Sequence, residues 1–438
     1  QFVVFSAAPF LAMSSPSQSL QVGSRVFIHG LVSKEGQRLN LKAGRVVAPE
    51  DDGRLGVVIQ GSSPKRLKRA NLLCSDRMEE RQLFLQLLTL RHLQLLIPAL
   101  KQLLKEDLGL ILLVSSFVSE PPVCLYQFGG FMQRVWMENW SFHPKPKPLA
   151  LQKAPRLDAA CCDLALGRVL FAGGCSKHPA LCGPDDFFNS AELYDCLTDT
   201  WEELPSMATR RHGATACQLD GKVYVMGGMY VDDRPVRVEE KFCEVFNQAA
   251  GLWTPLPLSA YRHLRMDEDI LDNSAFFGAA AVNGRIVARM GHVTLAYNPS
   301  LPEDGWRAVV ADAEDVKVGS SSCCAVWQNT LIVASGRPSA FARKVAAFSF
   351  HKPASDPLWY HGAWRQLPEL EHARVGGAMA VMNDRMYITG GVCEMTGEFQ
   401  DTAECLEDIA GSSWKSVPWF KMPRALHAHD TFALPYLQ

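Results

Sequence analysis

Few residues in this 438-residue chain have types and spacing that could hold a metal or move a proton. The segment "CSKHPALC" gathers Cys175, His178 and Cys182, and "ALHAHD" sets His427 and His429 two apart, on one face if the segment is a strand. A structural zinc site needs four ligands in a tetrahedron, and neither cluster supplies them alone. The sequence has no Gly-x-Ser-x-Gly elbow, no His-Glu-x-x-His helix and no Cys-x-x-Cys pair. The expectation is no catalytic residue, no metal and no cofactor. The contrasting reading is an enzyme with His212, His427 or His429 as acid-base groups.

The elements that would position such groups announce themselves through glycine. "DGKVYVMGGMY" makes a turn, then a strand of Val and Tyr, and stops at Gly227 and Gly228. Paired glycines pack nothing and cost backbone entropy, so they are placed where space is needed. The pattern recurs at Gly129 and Gly130, Gly173 and Gly174, and Gly390 and Gly391; worn copies keep only Gly291 and Gly336. The second glycines fall at 130, 174, 228, 291, 336 and 391, a spacing typical of repeat architectures. An aromatic residue and then a Trp follow several copies: Tyr194 with Trp201, Phe246 with Trp253, Tyr297 with Trp306. No helix start or Lys-Ser/Thr pair follows the glycines, so they are packing residues rather than a phosphate cradle.

From about residue 121 onward the chain resembles the kelch repeats, most clearly in "RHGATACQLDGKVYVMGG" followed by "CEVFNQAAGLWTPLPL". The resemblance implies a β-propeller of four-stranded blades, glycines letting backbones crowd and aromatics filling the wedge between sheets. Six copies imply six blades. "RALHAHDTFAL" at the C-terminus lacks a partner strand and is expected to complete the first blade, removing an exposed edge.

Aligning the repeats on the residue before the innermost strand gives Arg156, Arg211, Phe276, Lys317, Arg374 and Arg424. In related kelch propellers this point lies at the channel mouth, so the resemblance implies a cationic ring with one aromatic. Such a ring suits an acidic or phosphorylated peptide, which arginine pairs bidentately. His212, Ser190, Ser274 and Ser320 are expected nearby, and the acidic insertion 265–273 beside Phe276. The other reading is that each arginine merely bonds a turn of the repeat fold. Some kelch-like propellers are copper oxidases, but their chemistry needs a Tyr-Cys crosslink, and the nine tyrosines here fall mostly at core positions.

Lys and Arg total 44 against 46 Asp and Glu, so a general polyanion binder is disfavoured and nucleic acid is an unexpected partner. Hydrophobic residues make up 47%, enough for a large core. Thirteen cysteines, with adjacent pairs Cys161-Cys162 and Cys323-Cys324 that would face opposite ways in a strand, suggest a reducing compartment, cytoplasmic or nuclear. The opening "QFVVFSAAPFLAM" lacks a basic region and is too short for a span; Met13 is a candidate start, the alternative being a truncated targeting sequence. No membrane segment is expected.

Residues 1–20 read as a disordered tail. Residues 21–75 alternate short apolar strands with turns at Lys42-Ala43-Gly44 and Asp51-Asp52-Gly53, and resemble the SH3-like barrels of the Tudor and KOW type. Its run Lys65-Arg66-Leu67-Lys68-Arg69 reads as a charged edge strand, with a phosphate-binding edge as the alternative.

Residues 76–120 form a helical connector, with apolar residues at Leu83, Leu87, Leu90, Leu93 and Ile97, a break at Pro98 and a second helix from Ala99 to Lys105. Leu104, Glu106, Asp107, Leu108, Leu112, Ser116 and Phe117 resemble an F-box opening, although Lys105 stands where that family has Pro. Val123 also leaves no room for the rest of an F-box.

The expected whole is all-β: a small SH3-like barrel, a short helical connector and a six-bladed propeller over 121–438. It is expected to bind a protein or acidic peptide at its mouth and to meet a cullin-ligase adaptor through Leu104–Val118. A cytoskeletal, actin-binding scaffold is the third reading.

Overall fold

Val223, Tyr224, Val225 and Met226 form an unbroken apolar run because the strand they build is buried on both faces. Val223 and Val225 pack against the preceding sheet, while Tyr224 and Met226 pack against the following one. This sandwiching of a sheet between two others recurs along the chain.

The computed structural model describes residues 20–31, 33, 38–59, 62–96, 123–128, 139–142, 146–153, 156–177, 186–231, 242–257, 260, 276–290, 293–312, 323–336, 338–393, 395–411, 413–422 and 430–435. They fall into two compact units, the first holding Gln1–Val123 and the second nearly all of 124–434.

In the first unit, β1 (Arg25–Ile28), β2 (Ala43–Asp51), β3 (Arg54–Ile59), β4 (Lys65–Lys68) and β5 (Leu72–Cys74) form one antiparallel sheet in the order β4-β3-β2-β1-β5. Val26, Ile28, Val46, Leu55, Val57, Leu67 and Leu72 share its core. Helix α1 (Met78–Leu96) lies next, with Glu79 and Glu80 in its first turn, where carboxylates oppose the helix dipole. Its buried stripe runs through Arg81, Phe84, Leu85 and Leu88, while Leu83 and Leu87 are only half-buried, so the leucine periodicity placed the inner face one position off. Phe84 stacks on Phe27 of β1 at 3.9 Å, and the Arg81 guanidinium covers the same ring. Among the described residues no helix is long and apolar enough to cross a membrane. The second expected helix and the F-box-like residues Leu104–Val118 lie outside the described residues, as do Gly129, Gly130 and Gly291.

The second unit contains six antiparallel sheets of the same plan among the described residues. Sheet 1 joins Asp430–Pro435 from the far end of the chain to Val123–Phe128, Asn139–Phe142 and Pro146–Pro148. Sheet 2 is Ala160–Asp163, Arg168–Ala172, Ala191–Asp195 and Thr200–Leu204. Sheet 3 is Thr215–Leu219, Lys222–Met226, Cys243–Asn247 and Leu252–Pro255, and sheet 4 is Phe276–Val282, Arg285–Met290, Val293–Tyr297 and Trp306–Ala308. Sheet 5 is Cys323–Trp327, Thr330–Ala334, Val345–Phe350 and His361–Leu367, with Val310–Asp312 added in parallel at its edge. Sheet 6 is Ala378–Met382, Arg385–Thr389, Ala403–Leu406 and Lys415–Ser416.

The first strands of sheets 2 to 6 neighbour one another in sequence order, which makes the architecture propeller-like. Phe128 and Phe432 of sheet 1 meet Phe171 of sheet 2, and Phe128 also meets Tyr194 and Trp201. Tryptophans in the fourth strand or just before it hold the linkers that enter their own sheets: the indole nitrogens of Trp201, Trp253 and Trp414 donate to the carbonyls of Ala150, Pro205 and Pro368. The cysteines whose side chains are described are thiols rather than disulfides, Cys161-Cys162 and Cys323-Cys324 included.

Candidate functional site

Among the described residues, each glycine pair ends the second strand of its sheet and faces an arginine from the loop that enters the first. In sheet 3, Arg211 donates from Nη1 to the Gly227 carbonyl at 3.0 Å and from Nη2 to Glu244 Oε1 at 2.7 Å. Glu244 also accepts the backbone N–H of Ala208 and of Thr209, so one carboxylate pins both the arginine and the chain leading to it.

Sheet 2 repeats the arrangement, with Arg156 on Glu192 at 3.0 Å, on the Gly173 carbonyl at 2.8 Å and on Ser190. Sheet 6 repeats it with Arg374 on Glu404 at 2.8 Å, on the Gly390 carbonyl at 2.9 Å and on Thr402. The second glycine leaves room for this loop: a Cβ on Gly228 would fall 2.6 Å from the His212 carbonyl oxygen, and one on Gly391 3.0 Å from the Arg374 backbone. Gly173, Gly174, Gly227, Gly228, Gly336, Gly390 and Gly391 all have positive φ, which glycine adopts without strain.

These contacts correct the expectation of an open cationic ring. The side chains of Arg156, Arg211 and Arg374 are 2%, 0% and 1% exposed and each is spent on a carboxylate and a carbonyl of its own sheet. A buried guanidinium must be paired, and here the pairing is internal. Ser190 is one of its acceptors rather than a free rim group.

The alignment of Phe276 also needs correction. Thr215 is registered with Met226, Ala378 with Thr389, and Gly278 with Arg289. Arg211 and Arg374 stand four residues before the first of these partners, which puts the equivalent position in sheet 4 at Ser274 and not at Phe276. The same count in sheet 5, from Cys323 opposite Ala334, reaches Gly319 rather than Lys317. The glutamate is missing there too: where sheets 2, 3 and 6 have Glu192, Glu244 and Glu404, sheets 4 and 5 have Leu295 and Ala346. In sheets 2 to 6 the pair is kept or lost as a unit. The side chains at Ser274, Gly319, Ser320, Lys317, Arg424, His427 and His429, and the insertion 265–273, lie outside the described residues, as do His178 and Cys182.

His212 lies at the same end of sheet 3, between Arg211 and Gly213. Its ring is buried, stacks on Phe187 at 4.6 Å, and neither nitrogen has a hydrogen-bond partner; burial holds its pKa below the ordinary histidine value. Such a ring is neutral and lacks the orienting carboxylate of a general base.

Burial pushes the thiols of Cys162, Cys217, Cys243 and Cys323 far up, and that of Cys324 to about 12, which removes them as nucleophiles. Glu371, His372 and Glu404 bring three metal-capable atoms together among the described residues. Glu404, however, already accepts Arg374 and two backbone N–H groups, so its lone pairs and charge are committed. At the glycine-pair end of sheet 6, the hairpin Val392–Cys393 with Glu398–Phe399 carries Met395, which is 81% exposed.

In the first unit, Lys65, Arg66 and Lys68 stand exposed on edge strand β4, and Arg66 pairs with Asp51 at 2.9 Å. That placement is the charged-edge arrangement that discourages strand addition.

The family model described as the Kelch motif matches residues 167–208 and 210–257, which span sheets 2 and 3. An F-box/kelch-repeat protein of Arabidopsis thaliana is 24% identical over 249 residues, 56% of this chain and 61% of that protein. Another from the same plant is 41% identical over 83 residues, 19% of each chain, and a third is 24% identical over 274 residues, 57% of this chain and 94% of its own length. A solved structure of a fungal alcohol oxidase in complex with copper aligns over 71% of both chains with a TM-score of 0.46 and 15% identity, a likeness too slight to carry an argument. The kelch motifs matched over sheets 2 and 3, with their glycine and arginine–glutamate pairs, show that this chain carries kelch repeats in a propeller-like β-fold.

Proposed function

We propose that the protein is a non-enzymatic interaction module that binds a protein partner at the glycine-pair end of its propeller-like unit and delivers it to a cullin-type ubiquitin ligase. The observation that carries this reading is the match of kelch motifs in a chain whose relatives are named F-box/kelch-repeat proteins. Those relatives supply the ligase role by analogy, and the F-box-like stretch Leu104–Val118 is where the adaptor would dock.

In this reading the second unit closes as a six-bladed propeller, the first is an SH3-like barrel, and the protein works in a reducing compartment, in keeping with the thiol state of its described cysteines. The buried arginines build the mouth but do not touch the partner. Contact falls instead to exposed groups at that end, with Met395 as the apolar anchor, since methionine adapts to varied surfaces.

The test is direct binding of the purified full chain to a purified cullin-adaptor subunit, with a variant lacking residues 104–118 beside it. Binding by the full chain and at least about tenfold weaker binding by the variant would support the ligase role. Equal affinity, or none in either, would reject it.

A further inference from the structure

Sheet 4 has lost both members of the arginine–glutamate pair, yet it carries another guanidinium at the same end. Arg289 occupies the strand position held by Ala172, Met226, Ala334 and Thr389 in sheets 2, 3, 5 and 6. Arg285, Val287 and Arg289 alternate along Arg285–Met290 and share the face that meets sheet 5. The Arg289 guanidinium lies 5.1 Å from the Trp364 ring, and the residue is only 6% exposed.

Its neighbours among the described residues supply no counter-charge. Every other arginine buried among the described residues donates to a carboxylate or a carbonyl: Arg81, Arg156, Arg211, Arg285 and Arg374 all do so. Arg289 has neither, and its Nε is enclosed without a partner. Thr294, directly opposite on the next strand, is also buried and makes no side-chain hydrogen bond. Gly278, opposite on the other side, has Cys324 pressed against it, a thiol that stays neutral because burial raises its pKa to about 12. A guanidinium removed from water without an acceptor is costly, and a stacked indole offsets only part of that cost.

We propose that Arg289 and Thr294 form an oxyanion-binding site between sheets 4 and 5, walled by Trp364, that accepts one carboxylate or phosphate group. The planar guanidinium offers paired donors to such a group and the threonine hydroxyl a third. The bound oxyanion takes the part that Glu192, Glu244 and Glu404 take in their own sheets. In the cell an acidic or phosphorylated side chain of a partner would supply it, and only that origin rests on the interaction reading above.

The experiment follows the thermal midpoint of the full chain at fixed pH and ionic strength in chloride, with acetate or inorganic phosphate titrated in. Because excluded salts stabilise most proteins, the informative quantity is the saturable low-millimolar rise in wild type that variants lack. Arg289→Met is expected to remove that rise. Thr294→Glu, placing a carboxylate opposite Arg289, is expected to raise the midpoint in chloride and abolish the response, and it keeps the test decisive should the Met variant misfold.

A larger response to phosphate than to acetate would identify a phosphorylated group as the ligand, and the reverse a carboxylate. The proposal is overturned by identical curves in wild type and both variants. It is also overturned if Asp312→Asn, altering the strand registered beside Trp364, lowers the chloride midpoint as Arg289→Met does while wild type ignores both anions, because the acid would then be internal. Failure here leaves the adaptor-binding test untouched, and failure there leaves this site standing.

Discussion

Arg211 and Glu244 form a closed unit, with Nη2 2.7 Å from Oε1 and neither side chain more than 1% exposed. Removing one partner strands a buried charge. Glu244→Gln is expected to cost about 3–5 kcal/mol, seen as a lower thermal midpoint. The double variant Arg211→Met with Glu244→Leu should recover most of the loss, because the repeat itself tolerates the uncharged solution: sheet 4 has Leu295 at this position. A double variant no better than the single one would show that the pair organises the entering loop beyond satisfying its own charge.

How much of this was legible in the sequence differs from residue to residue. The glycine pairs could be read because two adjacent positive-φ residues after a strand leave few substitutes, and sheets 2, 3 and 6 keep both. The arginines before the inner strand were also visible, but their burial was not, since the partner lies about 30 residues away along the chain.

A signal did exist. Glu192, Glu244 and Glu404 each stand two residues before the blade aromatic or its leucine substitute, in "AELY", "CEVF" and "AECL", whereas "TLAY" and "AAF" in sheets 4 and 5 lack it. Pairing that column with the arginine column would have revealed the internal ion pair. It would also have shown that Phe276 and Lys317 were aligned two residues off. The irregularity between Phe276 and Gly278 hid the register in sheet 4, where one residue more or fewer moves every side chain.

Gly228 tests the packing half of the same device. Its φ is +81°, and an added Cβ would fall 2.6 Å from the His212 carbonyl oxygen and 2.8 Å from the Ala214 nitrogen. Both are backbone atoms and cannot swing away. Gly228→Ala should therefore destabilise by more than the roughly 1 kcal/mol typical of a left-handed alanine alone, whereas Gly251→Ala, with positive φ but open space, should cost only that strain. Equal losses in the two variants would refute the crowding argument.

His212 makes stability depend on pH with a definite sign. Burial lowers its folded pKa beneath the ordinary 6.5. Well above pH 6.5 both states hold a neutral ring and nothing is lost. As pH falls below 6.5, the unfolded chain takes up a proton that the fold refuses, so stability declines until the lower folded pKa is passed. His212→Phe preserves the stack on Phe187 and removes the titration, so the fall in thermal midpoint between about pH 7 and 5 should flatten. It should not vanish, because His29 is held low by burial in the same direction. An unchanged slope in the variant would show that acid lability arises elsewhere.

The stack of Phe27 on Phe84 joins β1 to α1 inside the first unit, and both rings are fully buried. Phe84→Ala should cost that unit about 3–5 kcal/mol through lost burial and the cavity left behind. All ten tryptophans lie between Trp136 and Trp419, outside residues 20–96, so indole fluorescence reports on the second unit alone. The expected result is loss of amide-exchange protection in Val26–Ile28 and Leu72–Cys74 with an unchanged fluorescence midpoint. If the fluorescence midpoint falls as far as the exchange-derived stability, the two compact units unfold as one, and stability of the five-stranded sheet becomes a lever on the kelch repeats themselves.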